Sequence, residues 1–257
     1  MGARIHPTAI VDRRADLAPD VEIGAYSVIE AHVAIGAGTR IGPHVVVCER
    51  TTLGRGNEAH SFAVIGAPPQ VRKRDGEGAG ALVIGDFNVF REHVTVHRGS
   101  LALPTRIGSH NLLMVGCHIA HDVQIGSHVT IANQAQLAGH CLVEDHATFG
   151  GLAGLAQFVR VGQSAFVVAG AMCEADVPPF AIVQGDRARV RALNKVGLKR
   201  RGISAESVAA LQRAFHALFR GNIPRAQALR EIPRDDPNVA ALLAFLAAPP
   251  RRSPRRG

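Results

Sequence analysis

The chain has no tryptophan, one tyrosine and ten phenylalanines in 257 residues. A core built around large aromatic rings is excluded. Small aliphatics must fill the interior, which suits a regular, repetitive packing layer. No apolar run approaches the length of a membrane span, so no integral membrane contact is expected. The N-terminal stretch MGARIHPTAIVDRR lacks an apolar signal core, which points to a cytoplasmic rather than a secreted protein. The four cysteines, Cys48, Cys117, Cys141 and Cys173, form no CxxC or other close pair. That spacing argues against a disulfide framework and for free structural thiols in a reducing compartment. One charge sign is in excess: the net charge is +8 and the pI about 10.3. Such an excess favours anionic partners, without choosing among nucleic acid, nucleotide phosphates, membrane and acidic protein.

What the chain does have is a repeat. From Ile5 an aliphatic residue recurs every six positions through Val11, Leu17, Ile23, Ile29, Ile35, Ile41, Val47 and Leu53. The register weakens at Ala59, returns at Ile84, Phe90 and Val96, and runs unbroken from Ile107 to Val167. Four residues after each aliphatic there is usually a small or β-branched residue, and Gly often follows the aliphatic directly. A period of six is neither helical nor that of a simple strand. It fits a two- or three-residue strand and a tight corner, the Gly taking up the corner's dihedrals. Three sides make an 18-residue triangular coil. Twenty-four hexads can be counted, about eight coils, and at about 4.8 Å per coil the prism is on the order of 40 Å long. The expected fold is therefore a parallel β-helix over residues 1–186. Two interruptions, 66–83 and 101–106, read as loops. Beyond DVPPF (176–180) the hexad fades. Residues 187–248 read as helical, the clearest helix being 204–221, capped by Ser204 and stopped by Gly221. Residues 249–257, PPRRSPRRG, read as a disordered basic tail.

CHIAHD (117–122) places two histidines three apart with an aspartate after the second. The residues alone leave three readings open. Zinc wants three or four converging ligands, and His118 and His121 occupy different hexad positions, so no metal site is expected. Alternatively, His121 is a general base at an outward-facing corner, with Asp122 to fix its tautomer. Gly139 lies 18 residues on, in the same column, where its N–H could stabilise an oxyanion. Thirdly, the histidines are simply solvated.

The motifs NLLMVGCHIAHDVQIG, LAGH, REHVTVHRGS, DVPPFAIVQGDRA and NKVGLKRRG together resemble the UDP-N-acetylglucosamine acyltransferase family, and the likeness runs nearly end to end. The resemblance implies a left-handed β-helix, homotrimeric, with active sites between subunits. It implies transfer of a 3-hydroxyacyl chain from acyl carrier protein to the 3-hydroxyl of UDP-N-acetylglucosamine, the first step of lipid A biosynthesis. It implies His121 as base, Asp122 as its orienting carboxylate and the Gly139 N–H as oxyanion donor. Gln70, Lys73, His97, His118, His140 and Gln157 match substrate-pocket positions. Asn194, Arg200 and Arg201 match positions near the phosphopantetheine and nucleotide phosphates, and Ala169 falls where the depth of the acyl channel is set. No cofactor, metal or nucleic acid is implied. Val71 stands where the family has an aspartate, Ala156 where it has a histidine, and Val196 where it has a glutamate. These departures keep two alternatives in view: N-acylation of a 3-amino UDP-sugar, and a non-catalytic paralogue that binds carrier protein.

Overall fold

The structure is a computed structural model and describes residues 2–71, 80–100 and 103–251. Among these, very short strands stack into three sheets of eleven, nine and eight strands, one for each face of a prism. Pairing within the prism is parallel with an 18-residue offset, as in His118↔Gln136↔Gly154↔Met172. Each coil hydrogen-bonds to the next, so backbone groups that a loop would leave to water are satisfied along the axis. The coil count is about nine rather than eight. The strands Val64–Ala67 and Met172–Cys173 belong to the prism although the repeat reads weakly there.

The six-residue period works through burial. Val123, Ile125, Val129, Ile131, Ala135 and Leu137 are all at most 4% exposed, and this alternation of large and small residues repeats along the axis. Each such Val, Ile or Leu contributes about 1.5–3 kcal/mol of burial. Among the described residues no coil lies beneath the first, and the inward-register Ile5 remains exposed.

The glycine after each aliphatic has a different task from the one expected. Except at Gly66 (φ 89°), it does not adopt the left-handed conformation. That falls two residues later, as at Tyr26 (φ 58°), His44 (φ 58°) and His128 (φ 59°), and the same corner position is left-handed where alanine replaces the glycine, at Asp122 (φ 61°), His140 (φ 63°) and Phe158 (φ 68°). The glycine is needed for close approach: a Cβ at Gly24 would sit 2.7 Å from the carbonyl carbon of Gly42 in the next coil. The corner residue that turns the chain is thus free to carry a functional side chain.

Both interruptions are shorter than the sequence suggests. Ala67 and Leu82 close the first from either side, and Thr105 and Arg106 belong to the strand Thr105–Ile107. The two loops are tied together: the Arg98 N–H donates to Ala67 O, and the Gly99 and Thr105 N–H groups both donate to Ala81 O, all at 3.0 Å.

The C-terminal region opens not with a helix but with the strand Arg189–Leu193, antiparallel to Ala181–Gln184. Four helices follow: α1 (Lys195–Arg200), α2 (Ala205–Phe219), α3 (Arg225–Glu231) and α4 (Pro237–Ala247). Ser204 caps α2 by accepting from Ser207 N, as its position predicts. Leu211, Phe215 and Leu218 of α2 pack with Val239, Leu242 and Leu243 of α4 and with Phe180 in a second core. Among the described residues no helix is long and apolar enough to cross a membrane.

Candidate active site

His121 and Asp122 sit at one corner of the prism, just after the strand His118–Ile119. His121 projects from the corner outside the aliphatic core, as expected, yet it is covered rather than solvated. It is 8% exposed and folds against its neighbour, because the left-handed turn at Asp122 brings the two side chains together. His121 Nδ1 lies 2.6 Å from Asp122 Oδ2. The Asp122 carboxylate also accepts from the Ser100 N–H (3.0 Å, at Oδ1) and the Ser100 hydroxyl (2.5 Å, at Oδ2). Its own backbone N–H donates to Thr105 Oγ1 at 2.8 Å. Burial pushes the Asp122 carboxyl up, but the hydrogen bonds from His121 and Ser100, with His140 nearby, outweigh it and hold it below the usual carboxylate range. An ionised carboxylate only accepts, so in the neutral imidazole the proton sits on Nδ1 and the lone pair on Nε2.

Gly139 lies one coil on. A Cβ there would stand 2.8 Å from His121 Cε1 and 2.9 Å from Nε2. Only glycine leaves the basic nitrogen room, and the glycine N–H donates to no protein group among the described residues. His140, next in the chain, meets the His121 ring edge-on with centroids 5.2 Å apart, and its own ring stacks on Phe158.

These groups open onto a groove of about 420 Å³ along the face of the prism. Gln70, His118, His121, Gly139 and Gln157 line it, as expected, together with Ala156 and Met172. His118 Nδ1 is 2.9 Å from Thr95 Oγ1. His97 stands behind it, rings 5.1 Å apart, and donates from Nδ1 to Pro68 O at 2.6 Å. Burial lowers the pKa of His118, His97 and His140 alike, which favours the neutral form of each ring.

Other expected site residues stand elsewhere. Lys73 lies outside the described residues. Ala169 is on a different, exposed corner, after the strand Phe166–Val167, and does not line this groove within one chain. Asn194 is buried as the cap of α1: its Oδ1 accepts from Gly197 N at 3.0 Å and its Nδ2 donates to Ser164 O at 2.9 Å, so its amide is used in holding the fold. Arg201 donates to the Ser164 hydroxyl, while Arg200 is exposed on α1. Sequence reasoning missed Ser100. It sits in HRGS, but nothing in the hexad register predicts that the second loop returns it to Asp122.

His121, Asp122 and His140 also put three donor atoms within 4.8 Å of one another, a set that could hold a divalent metal. In the arrangement described, both Asp122 oxygens already accept hydrogen bonds.

A stacked β-helix carrying a carboxylate-oriented histidine and an adjacent glycine N–H over an open groove defines a hexapeptide-repeat acyltransferase. A family profile described as bacterial transferase hexapeptide (six repeats) matches residues 104–139, and one described as UDP-N-acetylglucosamine O-acyltransferase, domain 2, matches residues 176–257. The chain is 45% identical over 249 residues to the acyl-[acyl-carrier-protein]–UDP-N-acetylglucosamine O-acyltransferase of Stenotrophomonas maltophilia, covering 95% of this chain and 94% of that one. It is 44% identical to the enzyme of the same name from Herminiimonas arsenicoxydans, covering 96% and 97%. The crystal structure of the UDP-N-acetylglucosamine O-acyltransferase of Moraxella catarrhalis superposes with a TM-score of 0.89 at 37% identity, covering 93% and 95%. The chain belongs to the acyl-[acyl-carrier-protein]–UDP-N-acetylglucosamine O-acyltransferase family.

Proposed function

We propose that this chain transfers a 3-hydroxyacyl group from acyl carrier protein to the 3-hydroxyl of UDP-N-acetylglucosamine, the opening step of lipid A biosynthesis. The observation that carries the reading is the relay from Ser100 through Asp122 to His121 Nδ1, which leaves Nε2 facing the groove beside Gly139. Nε2 takes the proton from the sugar 3-hydroxyl as its oxygen attacks the thioester carbonyl. The carbonyl electrons become an oxyanion, which the Gly139 N–H stabilises. Collapse breaks the C–S bond, and the departing thiolate takes the proton back from Nε2. The products are an ester and a free thiol. A positioned base is worth about 10²–10⁴ in rate and one oxyanion donor about 10²–10³. The step balances without redox or metal chemistry, so we assign no cofactor.

A homotrimer is part of the same proposal. Ala169, Arg200 and Arg201 stand away from the groove in one chain, and a neighbouring subunit would supply such positions to it. We place the reaction in the cytoplasm, which four buried free thiols support. The test is product analysis with 3-hydroxyacyl carrier proteins against both UDP-N-acetylglucosamine and its 3-amino analogue. Ester formation with release of one thiol per turnover is the expected result. Faster acylation of the amine would move the reading to N-acylation, and no thiol release with either sugar would refute an enzymatic role.

A further inference from the structure

The segment that follows α4 is delivered to the transfer site. Helix α4 stops at Ala248, and its last carbonyls are held by a single arginine on the prism. Arg160 donates from Nη2 to Phe245 O (3.5 Å) and Ala248 O (3.3 Å), and its guanidinium lies over the Phe245 ring at 4.5 Å. Asp176 fixes the same guanidinium at 2.8 Å. Pro249 and Pro250 follow, two residues with restricted φ that carry the chain off the helix in an extended path. Arg251 then donates from Nη1 to His140 O at 3.0 Å.

That carbonyl belongs to the residue whose N–H donates to His121 O at 3.1 Å and whose ring meets the catalytic imidazole. The Arg251 charge is close enough to add to the burial that lowers the pKa of His140. A guanidinium has five N–H donors, and one is used here. Arg251 is exposed and meets no carboxylate among the described residues. A fixed cation with open, forked donors beside an acyl-transfer centre matches a phosphate oxygen better than any other group the reaction brings. Both substrates of the proposed reaction carry one: the phosphodiester of the pantetheine arm and the diphosphate of the nucleotide sugar.

We propose that Arg251, presented by the Arg160 clamp, is a phosphate-binding residue of the transfer site, and that the segment from Ala248 to Arg251 forms part of the substrate cleft. The inference rests on the acyl-transfer reading and is tested in two ways. Steady-state kinetics compare the wild type, Arg251→Ala, Arg251→Lys, a chain ending at Pro250 and a chain ending at Arg251. Arg251→Ala and the chain ending at Pro250 should raise one KM by roughly 10- to 100-fold, as loss of a charge-assisted hydrogen bond does, and leave kcat within about twofold. Lys should restore part of the loss, and the chain ending at Arg251 should behave as wild type. A rise in the KM for UDP-N-acetylglucosamine assigns the diphosphate, and a rise in that for acyl carrier protein assigns the pantetheine phosphate. Calorimetric titration of UDP and of phosphopantetheine into the wild type and Arg251→Ala tests the same contact without turnover, so an inactive wild type would sink the reaction while still testing the residue. Unchanged KM values and unchanged binding of both probes would overturn the proposal. So would a variant with lower KM, which would make the segment an obstruction rather than a ligand.

Discussion

Gly139→Ala isolates what the glycine does. The added methyl would lie 2.8 Å from His121 Cε1, whereas ordinary contact begins near 3.4 Å, so the ring must retreat by 3.4 − 2.8 = 0.6 Å. It has little freedom to do so. The side chain is 10% exposed, its Nδ1 is held by Asp122, and Asp122 is held in turn by Ser100 and Thr105. The displacement therefore passes to Nε2, the atom that takes the proton. Misplacing a reacting group by about 1 Å costs on the order of 10²-fold, so a shift of this size should lower kcat by roughly ten- to fiftyfold. The backbone is not the obstacle, because Gly139 does not adopt positive φ. Gly→Ala at a compatible position stabilises by about 0.4–1 kcal/mol, which offsets part of the contact strain, so the melting temperature should barely move. The N–H survives the substitution, and oxyanion stabilisation is not what is lost. Steady-state kinetics with a thiol-release assay, run beside thermal denaturation, separates the two effects. A variant within about twofold of wild-type kcat would refute the claim that the glycine exists to give His121 room.

Four further outcomes follow from the same site. Asp122→Asn should lower kcat by about two to four orders of magnitude, because an amide can hold the imidazole in the wrong tautomer, while the fold persists by circular dichroism. Ser100→Ala should lower kcat by about threefold to tenfold, since the backbone N–H to Asp122 remains, and Ser100→Thr should recover the loss in the same assay. Arg201→Ala should lower the melting temperature more than Arg200→Ala, because Arg201 is partly buried on Ser164 and Arg200 is exposed, and differential scanning calorimetry of the two variants decides it. Asp122 is also a stability group: its folded pKa lies below the unfolded value of about 3.9, so its contribution is complete above that value and is lost as pH falls through the folded one. The stability gap between wild type and Asp122→Asn should therefore be present at about pH 7 and shrink in strong acid, and a gap that widens on acidification would contradict the assignment.

How far these features could be read from the sequence depends on an 18-residue lattice. Stacking places residues a fixed interval apart in contact, so the inward aliphatics, the three faces and the column joining His121 to Gly139 can all be computed from spacing. His121 and Asp122 are neighbours in the chain, and their pairing needs only a corner. The lattice fails where the chain leaves it. The strand at Val64–Ala67 runs into an insertion, which hid one side of a coil, and the glycines that follow the aliphatics mostly serve the approach of the next coil rather than the turn itself. Ser100 reaches Asp122 from a loop that breaks the register, and Arg251 reaches His140 across 111 residues of chain after a helical excursion. Ala169 shows the opposite limit: its lattice position is legible, but one chain puts it on another corner, away from the groove. The division follows from the physics. On the proposed reading, the stacked scaffold sets His121, Asp122 and Gly139 by periodicity, whereas Ser100 behind Asp122 and Arg251 beside His140 come from an interruption of the repeat and from the segment after α4. The departures at Val71 and Ala156 fall outside the aliphatic interior, one in an insertion and the other on a coil facing the groove, so the packing of the core fixes neither.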